Sequence, residues 1–185
     1  MQKRHTDRES YFDEQSQTSK NYYIPYIKEV IGHIPDKVLE VGCGEGGNLL
    51  PFAKAGCRVM GVDIDAMRIE QARAFFAQRH QQGQFIATDI FQLEDKATNF
   101  PLILLHDVIE HIRDKERFLS GLQKHLSADG AVFVGFPAWQ MPFGGHQQIA
   151  HSHIVSHFPF LHLLPRTLYR WILRPVSYTH LTLPT

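Results

Sequence analysis

Six residues set the chemistry of this chain: Glu40, then Gly42, Gly44, Gly46 and Gly47, then Asp63, in the strings VLEVGCGEGGN (residues 38–48) and VMGVDID (residues 59–65). A short apolar run carrying an acid feeds a turn built of glycines. A second apolar run ends in a second acid about 20 residues past the first glycine, the spacing of a nucleoside site on an α/β sheet. Glycine belongs there because the backbone turns sharply from strand to helix and lets a ligand approach where a Cβ would collide. Asp63, at the carboxyl end of its strand, is placed to accept hydrogen bonds from ribose hydroxyls.

Two ligand classes compete for this pattern. Gly42, Gly44 and Gly47 satisfy G-x-G-x-x-G, a weak dinucleotide fingerprint that keeps an NAD(P)-binding oxidoreductase open as an alternative. Glu40, Gly42, Gly44 and Gly46 satisfy E-x-G-x-G-x-G, and on these residues the chain resembles the class I S-adenosylmethionine-dependent methyltransferases (type 11/12-like). The likeness extends to GQFIATDIF (residues 83–91), FPLILLHDVIEHI (100–112) and LSADGAVFVGFP (126–137). It implies that S-adenosyl-L-methionine is the cofactor. Glu40 with the loop Gly42, Cys43, Gly44 and Gly46 would hold its methionine end, and Asp63 with Ile64 its ribose side. Asp89 would face the exocyclic amine and Ile90 the ring, with His106 and Asp107 at the end of the fourth strand.

Positioning those residues requires a doubly wound α/β domain. Strands are expected near 37–41, 58–63, 84–87, 102–106 and 131–136, with helices near 47–55, 66–80 and 115–126 between them. The strands read as continuous apolar runs, as a parallel sheet covered on both faces requires. Ahead of them, residues 19–34 carry a helical stripe of Tyr23, Ile27, Val30, Ile31 and Ile34. The family's order, 3-2-1-4-5, is expected without its usual strands six and seven. After the fifth strand come a Pro-, Gly- and His-rich loop and an apolar helical stretch (159–173). The last ten residues, VSYTHLTLPT, resemble the translation of a sequencing adapter. Residues 1–175 are therefore expected to be a methyltransferase domain incomplete at its carboxyl end, and 176–185 a non-native tail.

Composition excludes rather than selects. With 19 basic and 19 acidic residues among 185, the chain has no net charge, so nothing favours a nucleic-acid partner. No apolar run approaches the ~20 residues that span a bilayer, and the charged amino end has no signal-peptide core, so no membrane partner and a cytoplasmic location are expected. Cys43 and Cys57 offer neither a disulfide framework nor metal spacing. Oligomeric state is not legible.

A sulfonium methyl is already activated, so holding a nucleophile in line supplies most of the catalysis, about 7–11 kcal/mol. A base adds about 100-fold or more where the acceptor loses a proton. His106 and His146 are the candidates among 12 histidines. Asp107, Glu110 and His111, at i, i+3 and i+4, would share a face if a helix began at 107, an arrangement suited to one divalent ion; a metal is not favoured. His146, His151, His153 and His157 lack the cysteine or carboxylate spacing of a zinc site. The segment 136–153 is the expected acceptor wall, with Trp139, Phe143 and His146, joined by Tyr23 from the first helix as part of a lid with Tyr22 and Tyr26. The expected activity is methyl transfer to a small-molecule acceptor, first to oxygen. A cofactor-binding but inactive partner subunit is the remaining alternative.

Overall fold

In the computed structural model, residues 7–93, 97–138, 140–142 and 157–173 are described. The chain divides into two compact units, one of residues 3–136 and one made mainly of residues 137–185.

The first unit opens with α1 (Arg8–Thr18), a π-helical turn (Ser19–Tyr23) and α2 (Ile24–Ile31). There follow β1 (Lys37–Val41), α3 (Leu50–Lys54), β2 (Arg58–Asp63), α4 (Ala66–Gln78), β3 (Gln84–Ala87), β4 (Phe100–His106), α5 (Lys115–Leu122) and β5 (Leu126–Gly135), strand and helix alternating except between β3 and β4, where a 3-10 turn (Ile90–Gln92) is described in place of an α-helix. The five strands form one sheet in the order β3-β2-β1-β4-β5, with all four pairings parallel. The order reverses beside β1, so β1 and β4 part toward different neighbours at their carboxyl ends, where such sheets bind ligands.

Strand side chains alternate between two apolar layers. Val38, Leu102 and Leu104 pack with Phe12, Ile27, Leu50, Phe52, Ile69 and Phe76 on one face. Leu39, Val41, Ile103 and Leu105 pack with Met60, Ile90, Phe118 and Leu122 on the other. Glu40 and His106 follow the alternation onto the first face, and Glu40 pairs in register with Leu104, two residues before His106.

The first three predicted strands match β1, β2 and β3, whereas several other boundaries differ. Helix α1 went unforeseen because its outer surface is charged. It is fixed to the domain by the ring of Phe12, fully buried against Phe75 and Phe76, a burial that stabilises by about 1.5–3 kcal/mol, and by ion pairs from Arg8 to Glu45 and from Arg79 to Glu9 and Asp13. The predicted helix over 19–34 begins as the π turn and ends at Ile31, where Gly32 caps it; within α2, Ile27 is buried while Val30 is 65 % exposed, so the apolar stripe is narrower than expected. The segment 47–55 begins as a 3-10 turn (Gly47–Leu49), and 115–126 ends as one (Gln123–His125). Strand β5 starts at Leu126 rather than 131, because a register shift between Phe100 and Leu102 accommodates its first residues.

In the second unit, a 3-10 turn (Leu161–Leu163) precedes α6 (Arg166–Leu173), and Leu161 and Tyr169 pack with Leu164 and Ile172. Among the described residues no helix is long and apolar enough to cross a membrane.

Candidate functional site

The glycine loop leaves β1 with positive φ at Gly42 (71°), Gly44 (52°) and Gly46 (81°), conformations that side chains resist. Its backbone is tied to the end of β2: the N–H groups of Gly42 and Cys43 both donate to the Val62 carbonyl, at 2.7 and 3.1 Å. Gly44 N–H donates to Asp63 Oδ2 at 2.8 Å, and Asp65 N–H donates to Oδ1 at 2.9 Å. Asp63 thus fixes the loop as well as facing the strand edge. Asp65 caps α4, accepting from the N–H groups of Met67 and Arg68.

Glu40 is 1 % exposed. Its Oε1 accepts from Asn48 Nδ2 at 2.8 Å, whereas Glu40 Oε2 and Asn48 Oδ1 are buried without a hydrogen-bond partner. Burial, more than the nearby Asp63 charge, pushes the Glu40 carboxyl up to about 8 despite the Asn48 bond and the Arg68 charge. Two buried acceptors without partners, on side chains that are themselves hydrogen-bonded to each other, call for an N–H donor, most of all a cationic one. Cys43 is inert: burial raises its thiol well above the ordinary range.

Helix α1 and its π turn roof this loop. Ser19 Oγ donates to the Asn48 carbonyl at 2.8 Å, and a Cβ on Gly47 would lie 2.6 Å from the Phe12 carbonyl oxygen. Glu45, fully buried, accepts from Arg8 Nη1 at 3.0 Å and from Arg68 through Nε at 3.2 Å and Nη2 at 2.8 Å. The Arg68 guanidinium lies directly over Gly44, where a Cβ would meet it.

At the end of β4, the Tyr23 ring lies 5.5 Å from that of His106 and 4.9 Å from that of Phe133. His106 Nδ1 is 3.7 Å from Asp107 Oδ2, and Asp107 has a positive φ of 54°. Burial first, then the charges of Asp107 and Glu40, pushes the Tyr23 phenol up to about 12, so it remains a neutral donor. Tyr22 and Tyr26 are 68 % and 57 % exposed.

Glu40, the glycines, Asp63, His106, Asp107 and Tyr23 therefore converge on the carboxyl ends of β1, β2 and β4. Ile64 stands 81 % exposed beside the site with Met67, itself 71 % exposed, which the sequence reading passed over. Asp89 is exposed and spends Oδ1 on capping the turn at Ile90, while Ile90 is largely committed to the core. The metal arrangement fails at its premise. Asp107 is left-handed and only residues 109–111 turn, as a 3-10 helix, so Asp107, Glu110 and His111 do not share an α-helical face. Among the described residues no three His, Cys, Asp or Glu side chains are grouped to hold an ion. Trp139, Phe143, His146, His151 and His153 lie outside the described residues.

Sequence reasoning missed Asn48, Arg68, Glu45 and Arg8. Asn48 had a signal, a polar residue eight positions past the buried acid; the contacts to Glu45 span 23 and 37 residues and had none.

A family model described as a methyltransferase domain matches residues 39–132. The ubiquinone biosynthesis O-methyltransferase of Bartonella quintana is 32 % identical over 118 residues, 61 % of this chain and 48 % of that protein. The chain spans about half the length of the curated relatives it matches. Among solved structures, PKMT2 from Rickettsia typhi in complex with AdoHcy superposes with a TM-score of 0.51 at 29 % identity, over 55 % of this chain and 21 % of that one. Coclaurine N-methyltransferase bound to N-methylheliamine and SAH gives 0.54 at 25 % identity, over 60 % and 34 %.

Proposed function

We propose that this chain, which belongs to the methyltransferase domain family, binds S-adenosylmethionine and transfers its methyl group to a small-molecule acceptor, with oxygen as the accepting atom. The observation that carries the reading is the buried, unpartnered Oε2 of Glu40 beside the unpartnered Oδ1 of Asn48. A pyrophosphate has no N–H to donate and would leave both acceptors unpaired, whereas the methionine ammonium of S-adenosylmethionine can donate to both. Oxygen is supported by the O-methyltransferase relative and by the histidine at the end of β4.

The residues present fit the cofactor. Glu40 and Asn48 take the ammonium, Gly44 lets the Arg68 guanidinium lie against the loop, Asp63 accepts from the ribose, and the exposed Ile64 and Met67 offer an apolar edge to the adenine. Bound there, the cofactor supplies a methyl group already activated on a sulfonium. The chain's own work is then to orient and to move a proton. Tyr23, its ring against those of His106 and Phe133, would cover the methyl-transfer end of the site. His106, with Nδ1 turned toward Asp107, leaves Nε2 to accept the acceptor's proton. Trp139, Phe143 and His146 remain proposed acceptor contacts.

Calorimetric titration of the 185-residue chain with S-adenosylhomocysteine and, separately, with NAD tests the reading. Binding of the first without the second is expected; the reverse would refute it.

A further inference from the structure

We propose that Arg68 is the specificity-determining cation of this site: held over Gly44 by Glu45, it reads the α-carboxylate of the cofactor's methionine end. The inference rests on the function proposed above and adds a residue to it.

Three observations carry it. First, the Arg8–Glu45–Arg68 cluster joins two guanidinium groups to one carboxylate and retains a net positive charge beside the glycine loop. A fully buried carboxylate gripped through both oxygens holds its arginines in place, so Arg68 is preorganised rather than waving in solvent. Second, Arg68 spends Nε and Nη2 on Glu45, and Nη1 makes no hydrogen bond among the described residues, which leaves a donor edge for a ligand. Third, its position is central. The guanidinium lies against Gly44, and its charge is felt at both Glu40 and Asp63. The methionine chain must run between the acid that takes the ammonium and the acid that takes the ribose, and the carboxylate is bonded to the same carbon as the ammonium. Without a cation, that carboxylate would enter a site already holding Glu40 and Asp63. Arg68 offsets it.

The helix after β2 is an unexpected source for such a contact, and Glu45 explains it. An arginine at that place in α4 would extend into solvent, but a buried acid inside the loop draws it inward across Gly44. Glu45 is thus a positioning residue and Arg68 the ligand-touching one.

The test removes the carboxylate from the ligand rather than relying on activity. S-adenosylhomocysteine and its decarboxylated analogue, which keeps the amine, are titrated calorimetrically against the wild-type chain, Arg68→Met, Arg68→Lys and Glu45→Gln. Wild type is expected to prefer the carboxylate-bearing ligand by about tenfold or more, the range of a hydrogen bond to a charged group. Arg68→Met is expected to bind the two within about twofold of each other. Arg68→Lys keeps charge but loses the two-point grip of Glu45, so it and Glu45→Gln should show intermediate preferences. A purely structural role for Arg68 would weaken both ligands equally and leave the ratio intact. Equal binding of both ligands by wild type, or a preference that survives Arg68→Met, overturns the inference alone. If Arg68→Met does not fold, an undiminished ratio in Arg68→Lys and Glu45→Gln overturns it. No binding of S-adenosylhomocysteine by wild type overturns the proposed function and this inference together.

Discussion

Ligand binding at Glu40 should release a proton, and the release can be counted. In the free protein, burial raises this carboxyl to about 8 from its ordinary 4.5. It is then largely neutral at pH 7, yet it must be anionic to hold an ammonium. Binding therefore expels about 0.9 proton per ligand at pH 7. Affinity for S-adenosylhomocysteine should rise close to tenfold per pH unit from 6 toward 8, about 1.4 kcal/mol per unit, and flatten above. Calorimetry at pH 7 in two buffers of different ionisation enthalpy gives the proton count directly. The same displacement has a stability consequence of opposite sense. The folded chain keeps a proton that the unfolded chain loses between pH 4.5 and 8, so ligand-free stability falls as pH rises through that window, by an amount on the order of 5 kcal/mol. Glu40→Gln should abolish both the proton release and this slope while weakening the ligand. A wild-type chain that releases no proton and binds with constant affinity from pH 6 to 8 would refute the assignment of Glu40 to the amine.

Asp63→Asn should weaken S-adenosylhomocysteine at least tenfold and also lower the melting temperature by about 2–4 °C per kcal/mol lost, because Asp63 anchors the Gly44 and Asp65 amides; unchanged affinity would remove it from the ribose site. Gly44→Val combines a φ of 52° with a side chain driven into Arg68, so affinity should fall more than tenfold, read in the same titration, and an unaltered Kd would separate the loop from the cofactor. His106→Gln should leave S-adenosylhomocysteine affinity within about twofold, while turnover of any acceptor with an ionisable hydroxyl falls about 100-fold or more, measured by product formation. Undiminished turnover would dismiss His106 as the base.

The sheet was legible because its determinants are local. Each of β1 and β2 is a short apolar run closed by a glycine or an acid and buried on both faces, which leaves no competing period to misread, and β3, at the sheet edge, is marked by Phe85 and Ile86 between Gly83 and Asp89. The glycine loop was legible for a related reason: positive φ at Gly42, Gly44 and Gly46 admits few residue types, so backbone geometry is written directly in composition. Boundaries failed where a neighbour, rather than the segment itself, sets the structure. The π turn at Ser19–Tyr23 packs against the glycine loop through the Ser19–Asn48 bond, and no periodicity announces it. The supposed helix at Asp107 failed likewise, since its amide is taken by the Gly135 carbonyl of the neighbouring strand and its φ follows that contact.

The same distinction separates the two halves of the site. Glu40 and Asp63 could be read because strand ends and a glycine turn fix where they face. Glu45 occupies a variable place in the loop motif, and its meaning depends on two arginines 37 and 23 residues away, brought together only when α1 and α4 close on the loop. A buried acid at that place costs several kcal/mol unless paired, so Glu45 commits the fold to bringing both arginines in. Charge balance at the proposed methionine end is therefore a tertiary property: the acids are local features of the strands, and the cation beside them is imported by packing.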